Sequence, residues 1–354
     1  MPRPKGRVSD SYTFNIIMTR LPAEWEPQSG IQLTFPHIET DWADMLDEVL
    51  PCFTEIATIV SKYEKVVVVC RNIAETSALF SDVPTDNFRF VECDSNDTWS
   101  RDHGGIVIEE NNRLVLLDFV FNGWGLKFAA DKDNLITGKL AANGLFNTTY
   151  RHGGMVLEGG GIESDGMGTL LTTSECLLSP NRNPHLSKEE IEERLKQLFG
   201  LGRVLWLNHG YLAGDDTDSH IDTLARFCNP ETIAYVKCDN PEDEHYRELV
   251  LMEKELQSFV TPGGKPYNLV ALPWPDPCFD TDGNRLPATY ANFLIINDAV
   301  LVPVYGVKQD EAALGLFKAL FPGRTIHGVN CRSLIEQHGS LHCVTMQFPA
   351  GALS

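Results

Sequence analysis

The chain has 354 residues, 43% of them hydrophobic and 22% charged, an ordinary globular composition with ample length for a large core. Acidic residues outnumber basic ones 49 to 29, for a formal charge of −20; this argues against a nucleic-acid partner, whose affinity would rest on Lys and Arg. The nine cysteines include no CxxC pair and read as reduced thiols rather than a disulfide framework, and no apolar run approaches the roughly 20 residues needed to cross a bilayer.

The first 17 residues carry basic groups but no apolar core of signal-peptide length, and they read as a loose extension ahead of one catalytic domain, residues 18–354. Residues 41–63 have the apolar spacing of a helix, with Pro51 expected to break or kink it. The short β-branched run Lys65–Cys70 reads as a buried strand. Strands are also expected at Phe88–Cys93, Gly105–Glu109 and Arg113–Phe121. Residues 122–153, rich in Gly, Asn, Lys and Asp, read as an extended connection; they and the loop 276–289 are candidate lids. Met155–Leu157, Gly168–Thr173 and Cys176–Leu178 follow as strands.

Ser187 with Glu190 forms a capping box that opens a helix over 188–199, closed by Gly200. Further strands are expected at Val204–Leu207, Ile221–Phe227, Thr232–Val236, Asn268–Leu272, Phe293–Asn297, Val300–Pro303, Thr325–Val329 and Leu341–Phe348. Helices are expected over 242–259, 309–320 and Ser333–His338. Strands and helices thus alternate as strand–strand–helix–strand units, which suggests repetition within one α/β domain. The expected setting is the cytoplasm, with no membrane and no nucleic acid as partner; a homo-oligomer is compatible with this composition.

Four polar clusters sit at strand ends or Gly-rich breaks: Asn96–Gly105, Glu158–Gly161, Gly214–Asp222 and Gly339–Thr345. Each alone has an ordinary structural reading, Cys343 in particular as a buried core thiol. Together they form a coherent chemistry. A guanidinium is planar and fully protonated, so attack on its carbon requires carboxylates that fix its plane through paired hydrogen bonds. Asp102, Glu158 and Asp222 are candidates for that clamp. Cys343 is the candidate nucleophile, ionised as the cation binds, and His220 the group that protonates departing ammonia and activates water. The strongly acidic balance would draw in a small cation, though an acidic surface also simply maintains solubility. The residue types at His220, Asp222, His342 and Cys343 also bind zinc, so a metal-dependent hydrolase is the remote alternative.

These residues also carry a family resemblance. From Met18 onward the chain resembles the agmatine deiminases and the related bacterial peptidyl-arginine deiminases of the guanidino-group-modifying pentein superfamily. The matching motifs are Leu21-Pro22-Ala23-Glu24-Trp25-Glu26-Pro27, Asp97–Asp102, Glu158-Gly159-Gly160, Glu175–Leu178 with Asn181-Arg182-Asn183-Pro184, Asp215-Asp216-Thr217, His220-x-Asp222, Tyr290–Phe293 and His342–Thr345. The resemblance implies a five-bladed α/β propeller of pseudo-fivefold ββαβ repeats. It implies hydrolysis of a guanidine to a urea and ammonia without cofactor or metal, the small cation agmatine being preferred over arginine in a peptide.

By motif position, Cys343 would be the nucleophile, His220 the general acid/base, and Asp102, Glu158 and Asp222 the guanidinium carboxylates. Trp99, Arg101 and Asp216 would bind substrate. The chain departs from the usual pattern at His103-Gly104-Gly105, at Asp218-Ser219 where Asn-Gly is common, and at Gly339-Ser340-Leu341 before His342. Asp218 could favour a cationic substrate tail or be solvated surface.

Overall fold

The computed structural model describes residues 18–354; the expected extension, residues 1–17, lies outside them. One pattern of strand pairing recurs five times. An antiparallel hairpin is followed by a helix and then by a strand parallel to the second hairpin strand, the connection a parallel pair requires.

The first blade holds Thr345–Pro349, Gln28–Thr34, Lys65–Cys70 and Phe88–Glu92, with helix Leu46–Val60 ahead of the parallel strand. The second holds Ile106–Glu110, Arg113–Val120 and Thr149–Val156, with helix Ile136–Ala142 and the added edge strand Thr19–Arg20. The third combines Ile162–Ser164, Thr169–Thr173 and Arg203–Leu207 with helix Lys188–Phe199. The fourth combines Ala225–Asn229, Thr232–Val236 and Asn268–Leu272 with helix Tyr246–Ser258. The fifth combines Leu294–Ile296, Ala299–Val304 and Thr325–Asn330 with helix Asp310–Leu320. These are the five blades of the α/β propeller. The first is closed by both ends of the domain, since Thr345 pairs with Leu33 and Phe348 with Gly30.

Local chemistry explains most element boundaries. Ser187 Oγ accepts from Glu190 N while Glu190 returns the bond to Ser187 N, and Gly200 ends that helix at φ +67, where glycine has no Cβ to clash. The structure corrects several expectations. Helix Leu46–Val60 runs through Pro51, which sits on the exposed side in its second turn; only the one bond that its missing N–H would make is lost. Residues 122–153 contain helix Ile136–Ala142 and most of strand Thr149–Val156. Cys176 and Leu177 lie in a short helix that Thr173 caps by accepting from Cys176 N, not in a strand. Ile221–Thr223 is a 3-10 turn ahead of strand Ala225–Asn229. The last strand starts at Thr345, which leaves His342 and Cys343 in the turn before it.

Two apolar clusters fill the domain, and a buried charge network ties blades together. The fully buried Arg226 of the fourth blade donates to Glu163 Oε2 at 2.8 Å, Glu24 Oε2 at 2.9 Å and the Phe293 carbonyl at 2.7 Å. Its guanidinium carbon lies 4.7 Å from the Phe293 ring centroid. No helix among the described residues is long and apolar enough to cross a membrane.

Removing one partner of a buried ion pair strands the others. Arg226→Met leaves Glu24 and Glu163 without their guanidinium and is expected to lower unfolding free energy by about 3–5 kcal/mol in urea titration. A loss below about 1 kcal/mol would show that the network is not a stability element.

Candidate active site

The side chains picked from sequence converge because of the blade repeat. Each lies a few residues ahead of the first strand of a blade. Cys343 precedes Thr345–Pro349, Asp102 precedes Ile106–Glu110, Glu158 precedes Ile162–Ser164, and His220 with Asp222 precedes Ala225–Asn229. The fifth blade contributes Asn292, just before Leu294–Ile296, a residue that sequence reading had not marked as functional. The glycines after Glu158 are steric requirements. A Cβ on Gly160 would stand 2.4 Å from His220 Nδ1 and 2.8 Å from Asp102 Oδ1, and one on Gly159 would stand 2.3 Å from the Arg101 carbonyl.

Cys343 is 5% exposed. Its Sγ lies 3.4 Å from Asn292 Oδ1 and 4.0 Å from Asp222 Oδ2. Burial, and then the charges of Asp222 and Asp102, hold its thiol well above the ordinary range. Asp222 Oδ2 meets His342 Nδ1 at 2.8 Å, and His342 Nε2 meets Glu24 Oε2 at 2.6 Å. With Oδ2 committed in this way, Asp222 Oδ1 is buried with no protein partner.

His220 is fully buried, with Nδ1 3.6 Å from Asp102 Oδ1 and Nε2 3.9 Å from Glu158 Oε2. Neither ring nitrogen has a protein hydrogen bond. Burial disfavours its charge, yet its neighbours, Asp102 foremost, raise its pKa well above the ordinary value. Asp102 accepts from Gly160 N at 3.0 Å and from Trp124 Nε1 at 2.9 Å; burial pushes its carboxyl up to about 6. Glu158 is gripped by Arg182 Nε, at 3.0 and 2.8 Å from its two oxygens. Burial alone would raise that carboxyl, but His220 and Arg182 outweigh it and hold it low. Arg182 belonged to a recognised motif but had no assigned role; its contact spans 24 residues and leaves no periodic trace.

Above Cys343 opens a cavity of about 160 Å³ lined by Asp41, Asp97, Trp99, Asp102, Trp124, Phe128, Asp216, Thr217 and the turn Gln337–Gly339. Among the described residues, no Lys or Arg lines it. Trp99 and Trp42 donate their indole N–H groups to the two oxygens of Asp97, at 3.0 and 2.8 Å; burial pushes that carboxyl up to about 6. Gly339 lies flat against Trp99, where a Cβ would come within 2.1 Å of the ring. Trp124 reaches Asp102 from a left-handed turn, with φ values of +66, +53, +81 and +68 at Gly123, Trp124, Gly125 and Leu126. For non-glycine residues such a turn costs on the order of 1–2 kcal/mol each. The candidate lid 122–153 thus supplies cavity wall, whereas residues of 276–289 line a separate pocket beside Trp274 and His245.

Two expectations are corrected. Arg101 does not line the cavity. Its guanidinium turns into the protein toward Gln347 Oε1, 2.5 Å away, and Glu24, 3.8 Å away, because a buried cation is stable only near anions and acceptors. Asp218 is not a free mouth carboxylate: Lys127 and Arg182 each pair with it at 2.6 Å. Asp218 and Ser219 have φ of +64 and +60, the conformation in which Asn and Gly are most at ease.

Among the described residues, one group has metal-ligand spacing, Glu158, Cys176 and His220, with ligand atoms within 4.8 Å of one another. Arg182 already holds both oxygens of that glutamate, and its positive charge opposes a second cation there. The suggested set of His220, Asp222, His342 and Cys343 does not form a ligand shell, since both nitrogens of His342 are engaged by carboxylates.

A family model of Porphyromonas-type peptidyl-arginine deiminases matches residues 20–349. A solved structure from Porphyromonas gingivalis, described provisionally as an arginine deiminase, is 52% identical, covers 95% of this chain and 100% of its own, and superposes with a TM-score of 0.92. The C. jejuni agmatine deiminase, solved as a cysteine-to-serine variant with substrate bound, is 40% identical over 96% of this chain and 98% of its own, with a TM-score of 0.89. The agmatine deiminase of Medicago truncatula is 33% identical and covers 93% of this chain and 96% of its own. The five-bladed architecture is therefore shared with these deiminase structures over nearly all of the described chain.

The raised carboxyls generate a pH prediction. Asp102 and Asp97 are ionised above about pH 6 and neutral below it, so a cation loses its partners as pH falls. Calorimetry of butylguanidine binding to Cys343→Ser protein should show affinity dropping by about tenfold per pH unit below that point for each carboxylate coupled to binding. An affinity that stays flat from about pH 7 to about pH 5 would contradict the assignment.

Proposed function

The chain belongs to the Porphyromonas-type peptidyl-arginine deiminase family, and we propose that it hydrolyses the guanidinium of agmatine to N-carbamoylputrescine and ammonia. The observation that carries this reading is the charge pattern of the cavity. Carboxylates occur both near Cys343 and among the residues at the mouth, aromatic rings line the space between, and among the described residues no Lys or Arg competes. Agmatine has a cation at each end of an apolar tether. Arginine within a peptide ends in neutral amides and would leave Asp216 and Asp41 without a charge to meet.

In the reaction, Asp102 and the open oxygen of Asp222 accept N–H bonds from the guanidinium and fix its plane. The incoming cation offsets the field that keeps Cys343 protonated, the thiol proton passes to solvent, and the thiolate attacks the guanidinium carbon. His220, held as imidazolium between Asp102 and Glu158, gives its proton to the departing nitrogen. Ammonia leaves, and a thiouronium remains on Sγ. The now neutral His220 takes a proton from water as the hydroxyl adds to that carbon. Collapse of this adduct expels the thiolate and yields the urea. Glu158, oriented by Arg182, keeps the ring charged at the start of each cycle. Hydrolysis consumes only water, and its product is suited to a further cleavage that releases putrescine. The buried free thiols of the described residues fit work in the reducing cytoplasm.

Ammonia release should be faster from agmatine than from an arginine-containing peptide by about 10-fold or more in kcat/KM, the worth of one charge-assisted hydrogen bond, and absent in Cys343→Ser. Faster turnover of the peptide would transfer the assignment to peptidyl arginine, and turnover of neither would overturn it.

A further inference from the structure

The chemistry at Cys343 leaves the imidazole of His338 unused. His338 lines the same cavity as Cys343 and Asp216. Its Nδ1 lies 2.8 Å from the carbonyl oxygen of Gly214. A carbonyl only accepts, so Nδ1 carries a proton, and in that tautomer Nε2 is the acceptor. That nitrogen stands 3.9 Å from Asp216 Oδ2. The distance is too long for a hydrogen bond between the two, yet one nitrogen bearing several N–H groups can bridge it, since each contact then spans about 2.8 Å.

The arrangement is held from several sides. His338 adopts φ +67, a region in which a side chain other than glycine is uncommon and which, at a cleft, is a pointer to function. The next residue, Gly339, is pressed against the Trp99 ring, and Gln337 Nε2 donates to the Asp41 carbonyl at 2.9 Å. The ring and the Asp216 carboxylate are 39% and 45% exposed, so both are open to an incoming group. Lys127, a neighbouring cation, is bound at 2.6 Å by Asp218 and at 2.7 Å by the Asp216 carbonyl. It therefore does not neutralise the Asp216 carboxylate by direct contact.

We propose that His338 and Asp216 together receive a primary ammonium at the distal end of the substrate, which makes His338 a specificity-determining residue. The pair selects for N–H donors: a primary ammonium offers one to each acceptor, whereas an alkyl end or a peptide amide cannot meet both while carrying charge. This inference rests on the guanidine-hydrolysis reading and adds to it the group that reads the far end of the molecule.

The test compares kcat/KM for agmatine and for butylguanidine, which lacks the ammonium, in the unaltered protein, His338→Gly, Asp216→Asn and the double variant. Glycine is at ease at φ +67, so the turn survives the first substitution. The agmatine-to-butylguanidine ratio should fall about tenfold in each single variant. In the double variant it should fall by less than the product of the two, because both groups hold one nitrogen. If the ratio in His338→Gly stays within about twofold of the unaltered protein, while that protein turns over agmatine, the role of His338 is contradicted and the functional reading stands. If the unaltered protein releases no ammonia from agmatine, the functional reading fails and this inference falls with it.

Discussion

Glu24 carries the constraint on which the centre of the molecule depends. A carboxylate taken out of water must be matched on every side, and this one is. It accepts from Ile295 N at 2.7 Å, Arg226 Nη2 at 2.9 Å and His342 Nε2 at 2.6 Å. Burial alone would raise its pKa, but Arg226 and then His342 outweigh burial and keep it ionised. Through those bonds the opening segment of the domain is tied to the fourth and fifth blades and to the turn that bears Cys343. His342 passes the constraint on, since its other nitrogen holds Asp222. One oxygen of Asp222, the one 4.0 Å from the Cys343 sulfur, is therefore structural, and the other is left without a protein partner. The orientation of Asp222, a carboxylate of the proposed guanidinium clamp, is thus tied to a glutamate close to the start of the described residues.

The same economy of charge explains why an unreactive thiol sits at the site. Cys343 is surrounded by carboxylates that suppress its ionisation. Without substrate it is a buried thiol like the others, protected from chance chemistry. In the proposed reaction the group that relieves the suppression is the substrate's own cation, so reactivity and recognition would share one electrostatic cause. His220 has the complementary tuning, its pKa raised by the neighbouring carboxylates, as the proposed acid requires. Two groups with opposite needs are tuned by overlapping carboxylates, the general route by which a site obtains an acid and a nucleophile at one pH.

Most of the repeat was legible in the sequence because it is written in local signals. Buried β-branched runs such as Lys65–Cys70, the Ser187–Glu190 capping box and Gly200 marked elements close to their observed ends. The residues of the site were legible as motifs, but their geometry was not. A strand was expected over Ile221–Phe227, whereas Asp222 sits in a 3-10 turn and Gly160 packs against His220. Pro51, expected to disrupt its helix, is accommodated because its ring faces solvent. Arg182 and Asn292 lay in recognised motifs without an assigned role, and His338 was not singled out, since each acts across a long sequence separation or from an unusual backbone angle. Arg101 and Asp218 were misjudged for a related reason: a charge beside a catalytic motif looks available until its ion-pair partners are known. Tertiary pairing, not residue type, decides which charges face a substrate.

The central claim is that Cys343 bonds to the guanidinium carbon, and intact-protein and peptide mass spectrometry after rapid acid quench of the protein with agmatine tests it most directly. The account predicts a covalent amidine adduct confined to the peptide containing Cys343 and lost as turnover completes. An adduct on any other peptide, or sustained turnover with no adduct on Cys343 at any quench time, would contradict it.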